Sequence, residues 1–146
     1  MMAAVRGRDT KYEIAIRKRL FSKGFRYRIN DRTLPGRPDI VLRKHNAIIF
    51  INGCFWHYHD CNLGRIPKSR SEWWREKLEA NKQRDYKNHA ELASAGWRLL
   101  VIWECFFRRP GTNKENGFDR VTGIACDFIL SDVKYLEVWD NGQPVE

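Results

Sequence analysis

At 146 residues the chain is the size of one domain, and 42% hydrophobic content with six Trp and eight Phe allows a core without disulfides. No run reaches the roughly 18 apolar residues of a membrane helix, and the N-terminus lacks a signal-peptide core, which places the expected setting in the cytoplasm with reduced thiols. The net charge of +9 is uneven: residues 1–117 hold 25 Lys and Arg against 12 Asp and Glu, residues 118–146 hold 2 against 6, and a basic body of this kind suits a polyanionic partner.

Thr10 to Lys23 reads as a helix, with a Thr10-x-x-Glu13 capping box, Tyr12, Ile16 and Leu20 every four residues, and Gly24 as the stop. Phe25, Tyr27 and Ile29 alternate with arginines, the pattern of a short half-buried strand. Leu34 to Pro38 is a turn. Asp39–Leu42 and Ala47–Ile51 form a hairpin around His45-Asn46, with Asp39 expected at a sheet edge. A long helix is predicted from about Ser71 to Ser94 and a buried strand from Trp97 to Trp103. Pro110–Gly117 is predicted as a loop, Phe118–Leu130 as a helix and Tyr135–Trp139 as a further strand. The order predicts an α/β fold, one sheet flanked by helices.

Gly53 to Cys61 packs two thiols, two imidazoles, a carboxylate and three aromatic rings into nine residues. Thiolate and neutral imidazole are the ligands zinc prefers, and a structural site takes four. Cys54, His57, His59, Cys61 and the distant Cys105 make five candidates, so one is spare. On an extended backbone His57 and His59 point the same way, and residue types alone leave open which is spare. A spare imidazole beside a metal site is free to move protons. Asp39 suits either a Mg²⁺ ligand or a turn cap. Cys126 falls in a helical pattern as a small hydrophobe.

Leu34-Pro-Gly-Arg-Pro-Asp39, the β run, Gly53-Cys-Phe-Trp-His57, a second His-x-Cys and Trp103-Glu-Cys105 together resemble the very-short-patch repair (Vsr-type) DNA mismatch endonucleases. The resemblance runs ungapped from about Met2 to Cys105, and the C-terminal forty residues do not carry it. It implies a restriction-endonuclease-like mixed β-sheet flanked by helices, with a structural zinc site. It also implies Mg²⁺-dependent nicking of one DNA strand beside a thymine–guanine mismatch, initiating repair of deaminated 5-methylcytosine. By this resemblance Asp39 and the backbone carbonyl of Ile51 hold Mg²⁺, His57 is the catalytic histidine, and Glu13 approaches the metal's waters. Cys54, His59, Cys61 and Cys105 are the Zn²⁺ ligands, which makes His57 the spare one.

The same resemblance has Phe55, Trp56 and Trp74 enter the duplex, and Lys77, Asn81 and Met2 contact bases at or near the mismatch. Packing is the competing assignment for the aromatics, and a solvated helix face for Lys77 and Asn81. Trp74, Lys77, Asn81 and Asp85 share one helix face. Arg65, Lys68 and Arg70 suit phosphate contacts. Asn52 stands where many members have histidine or an acidic residue. The expected partner is double-stranded DNA with a T:G mismatch, alongside mismatch-repair proteins, for a monomeric, nucleoid-associated enzyme. A restriction-type double-strand endonuclease, a nickase for another lesion, and a zinc-structured DNA-binding module without catalysis are the alternatives.

Overall fold

The computed structural model describes residues 10–108 and 113–140. Helix α1 spans Lys11–Ser22, strand β1 Arg28–Ile29, β2 Ile40–Leu42, β3 Ala47–Asn52, helix α2 Ser71–Ser94, β4 Arg98–Trp103, helix α3 Lys114–Ile129 and β5 Tyr135–Val138. The five strands form one sheet in the order β1-β2-β3-β4-β5. β1, β2 and β3 pair antiparallel, whereas β3, β4 and β5 pair parallel. Each parallel step is made by a helical crossover, as parallel strands require. This is the mixed sheet flanked by helices expected from the sequence.

The period-2 alternation of the strands explains the layers. Ile40, Leu42, Ala47, Ile49, Ile51, Leu100 and Ile102 face α1 and α3, packing on Ile16, Leu20, Phe118, Val121, Ala125 and Phe128. Val41, Ile48, Phe50, Leu99, Val101 and Trp103 face the opposite side, where Leu92 of α2 joins them. β3 and β4 are buried along their whole length because both faces are covered. α2 buries only Leu78 and Leu92 over 24 residues, about 36 Å of helix, and leaves a largely polar face to solvent. Among the described residues no helix is long and apolar enough to cross a membrane.

Three expectations need correction. β1 has two residues, both exposed, instead of an alternating strand from Phe25; Phe25 and Tyr27 pack against the core, and the Tyr27 hydroxyl donates to the Arg17 carbonyl. β2 lies between β1 and β3, so Asp39 is buried at a strand start and not at a sheet edge. α3 begins at Lys114, inside the predicted loop, because the Asn113 side chain caps it by accepting from the Glu115 amide. The buried strand expected from Trp97 is present as β4, and Arg98, which opens it, is itself buried at 7% exposed.

Arg98 is kept there by four backbone carbonyls. Its guanidinium donates to Phe128 (2.9 Å) and Ile129 (2.9 Å) at the end of α3, to Val133 (3.2 Å) and to His45 (2.9 Å). The cation donates to carbonyls at a helix C-terminus and sits where the helix dipole favours positive charge. Arg98→Met removes these bonds while keeping the aliphatic bulk. It should cost about 3 kcal/mol in urea unfolding; a loss under about 1 kcal/mol would show the clamp to be dispensable.

Candidate active site and metal cluster

The site is built where β2 begins and β3 ends. Asp39 Oδ2 accepts the Ile51 amide at 2.7 Å across the hairpin, which holds the carboxylate against the backbone of β3. Glu13 arrives from the first turn of α1. The Thr10 hydroxyl accepts the Glu13 amide (3.3 Å) and donates to Oε1 (3.4 Å), while Arg17 donates to Oε2 (2.9 Å). The cap and the site therefore share one carboxylate, which is only 2% exposed. Burial first, and the Glu13 charge second, push the Asp39 carboxyl up to about 7, against relief from the Ile51 amide, His57 and Arg17. A buried carboxylate raised by burial and by a second buried carboxylate is a site that a cation relieves.

The loop after β3 turns back on itself instead of extending. His57 N–H donates to the Gly53 carbonyl and His59 N–H to the Cys54 carbonyl. Tyr58 between them is left-handed, at φ +54°. The extended-backbone expectation for the two histidines therefore fails, and the two rings find different partners. His57 Nδ1 meets Asp85 Oδ2 of α2 at 2.6 Å. With the Nδ1 proton donated to that carboxylate, Nε2 is the nitrogen left to accept another. His59 stacks flat on Trp103, centroids 4.1 Å apart and planes 10° apart.

The ligand atoms of Cys54, His59, Cys61 and Cys105 lie within 4.8 Å of one another. Three sulfurs and one nitrogen at this spacing could hold a metal ion, and the donor set suits tetrahedral zinc. The Cys105 amide donates to Cys54 Sγ (3.3 Å), and Cys105 Sγ lies 3.7 Å from His59 Nδ1. Contact with Cys105 pushes the Cys54 thiol up, while contact with Cys54, then His59 and the Asp140 amide, holds Cys105 low. Gly64 closes the loop: a Cβ there would overlap the His59 carbonyl oxygen. Neither Gly64 nor the left-handed Tyr58 carries a sequence signal strong enough to single it out.

Beside the cluster the rings of Phe55, Trp56 and Trp74 meet edge to face, with Trp73 on the outside. Phe55, Trp56 and Trp74 are half-buried and Trp73 is exposed. Asn81 donates to the Trp56 carbonyl (3.1 Å) and accepts from Arg84 (2.8 Å), tying α2 to the aromatic loop. Lys77 is exposed, near the Trp73 ring. Arg65, Lys68 and Arg70 are exposed, and Arg70 covers Trp73. Asn52 is buried at the end of β3. Cys126 is half-buried against the core. Met2 lies outside the described residues. Sequence reasoning placed Asp85 on the right helix face but gave it no partner; its i+11 spacing from Trp74 was the only signal.

The raised Asp39 carboxyl makes a signed prediction. Between pH 3.8, the unfolded value, and about 7 the folded chain holds a proton that the unfolded chain releases, so stability falls as pH rises through this window. Without added divalent ions, Asp39→Asn should melt about 5 °C or more above the parent at pH 8, and the two should converge at pH 4. Equal melting at both pH values in calorimetry would contradict the buried-carboxylate account.

Comparison with known proteins agrees with this geometry. The family model described as DNA mismatch endonuclease Vsr matches residues 1–63. A type II nicking enzyme of Neisseria meningitidis, V.NmeAIP, is 45% identical over 115 residues, covering 79% of this chain and 82% of the relative. A Xanthomonas oryzae type II nicking enzyme, V.XorIIP, is 46% identical over 105 residues, covering 72% and 77%. The Escherichia coli DNA mismatch endonuclease Vsr is 42% identical over 107 residues, covering 73% and 69%. The chain belongs to the Vsr family of DNA mismatch endonucleases and is a DNA endonuclease.

Proposed function

We propose that this enzyme nicks one DNA strand beside a thymine–guanine mismatch in a Mg²⁺-dependent reaction, initiating repair of deaminated 5-methylcytosine. The observation that carries the reading is the convergence of the buried Asp39–Glu13 pair and the His57–Asp85 pair next to a half-exposed aromatic cluster. Asp39 and the Ile51 carbonyl would hold Mg²⁺, with Glu13 facing its waters; the ion supplies polarisation of a phosphoryl oxygen and a more acidic water.

The chain's own residues do the rest. Asp85 fixes the His57 tautomer and ring, and His57 takes the proton of the attacking water through Nε2. Phe55, Trp56 and Trp74 wedge into the duplex, and unstacking is cheapest at a mismatch. Lys77 and Asn81 contact bases there, Asn81 exchanging its hold on the Trp56 carbonyl for a base edge. Arg65, Lys68 and Arg70 contact phosphates. Zn²⁺ on Cys54, His59, Cys61 and Cys105 holds the loop and takes no part in hydrolysis.

Asp39→Ala and His57→Ala should lower nicking of a T:G duplex by about a thousandfold or more while DNA binding and the circular dichroism spectrum persist; near-parental cleavage in Mg²⁺ would refute their roles. Asp85→Asn should lower kcat about a hundredfold or more with KM little changed, because an amide leaves the tautomer unset. Cys61→Ala should lose the bound zinc and melt at least about 5 °C lower; zinc loss with unchanged melting would contradict a structural role. A panel of paired, T:G and other mismatched duplexes, with and without Mg²⁺, tests the substrate. Equal cutting of paired DNA, or cutting of both strands, would favour the restriction-type alternative.

A further inference from the structure

β5 and the residues after it lie beyond the last motif of the family resemblance, yet they touch the Cys/His cluster in two ways. The Asp140 amide donates to Cys105 Sγ at 3.3 Å. Glu137 Oε1 accepts from the Trp103 indole N–H (3.4 Å) and from the Tyr135 hydroxyl (2.9 Å). Trp103 in turn is the plate on which His59 lies. Two residues of the four-residue cluster, far apart in sequence, are thus supported from β5 and the two residues after it. The register of β5 on β4, Leu99 to Ile102 against Tyr135 to Val138, carries the chain past the end of β4, where Cys105 lies.

We propose that this C-terminal strand is the outer shell that retains the metal, with Asp140 through its backbone amide and Glu137 through Trp103 as positioning residues; this rests on the reading of the Cys/His cluster as a zinc site. Three thiolates and one imidazole around Zn²⁺ leave a net negative charge, and an N–H pointing at a sulfur offsets part of it. A thiolate so bonded is less readily displaced. The stacked Trp103 restricts His59 to one ring orientation, which favours rebinding over departure. The position also matters for access. A cleft of about 400 Å³ reaches the cluster between Cys61 and Cys105, and Trp139 and Asp140 line it. The two residues after β5, one of which supports Cys105 through its amide, are therefore also a wall of the route by which a competing ligand arrives.

The experiment is metal release. Zinc per chain is measured in the full-length protein, and its transfer to 4-(2-pyridylazo)resorcinol is followed by absorbance. Asp140→Pro removes the N–H and should release zinc about tenfold faster, whereas Asp140→Ala keeps it and should stay within about twofold of the parent. Glu137→Ala and Trp103→Phe, which loses the indole N–H but keeps a ring on His59, should each release faster by about threefold. In the Co²⁺-substituted protein the thiolate-to-cobalt band should shift in Asp140→Pro and not in Asp140→Ala. A parent protein that holds no zinc would overturn the metal reading itself. A parent holding one zinc, with Asp140→Pro and Glu137→Ala both releasing at its rate, would overturn this proposal alone. Should Asp140→Pro fail to fold, Glu137→Ala and Trp103→Phe decide: faster release supports the strand's role, parental rates reject it.

Discussion

The parallel pairing of β3 with β4 is the constraint on which the site depends. Its register runs from Ala47 opposite Arg98 to Asn52 opposite Trp103, so both strands end together. The segments leaving the two strands must then meet at one end of the sheet. After β3 comes the Cys54–Cys61 loop, and after β4 comes Cys105, whose amide reaches Cys54 Sγ. A one-residue slip would move the side chains of a whole strand to the opposite face. It would also separate the fourth cysteine from the other three ligand residues. The crossover between these strands is α2, so the same pairing sets Asp85 and Asn81 over the loop.

Within that frame the loop divides two neighbouring imidazoles between two tasks. A left-handed residue between them costs on the order of 1 kcal/mol for a non-glycine, and the surrounding contacts have to outweigh it. Those contacts are identifiable: the His59 amide on the Cys54 carbonyl, the His57–Asp85 pair, Lys82 over the Tyr58 ring, and Gly64 passing against the His59 carbonyl. The Cys/His cluster thereby sets the position of His57 and of the aromatic rings on the same loop. A stiff loop suits the proposed roles of His57 and the aromatic rings, since misplacement of about 1 Å can cost a hundredfold in rate.

Charge is arranged in the opposite sense from packing. The molecule is basic overall, but its centre gathers Asp39, Glu13 and Asp85, two of them buried. Arg17 offsets part of the Glu13 charge, and the Asp39 carboxyl remains raised. Such a site stabilises a cation and resists a bare phosphate, while the outer arginines and lysines attract the DNA backbone. Stability is given up locally where binding energy is later gained, the usual relation between a functional site and its fold.

Much of the fold was legible because it depends on neighbours in sequence. The Thr10 cap, the continuous β-rich runs at Ile40–Leu42 and Ala47–Asn52, and the face of α3 follow from capping chemistry, β propensity and a period of 3.6 that residue types report directly. The identity of the site residues came from motif resemblance, and the geometry gathers those of the metal cluster, the carboxylate pair and the aromatic loop into one region. Tertiary structure alone decided the pairings. His57 with Asp85 spans 28 residues, Arg98 with His45 53, and Glu137 with Trp103 34. No local period encodes such distances; strand register and a single left-handed residue set them, and these follow from the energy of the whole packed sheet.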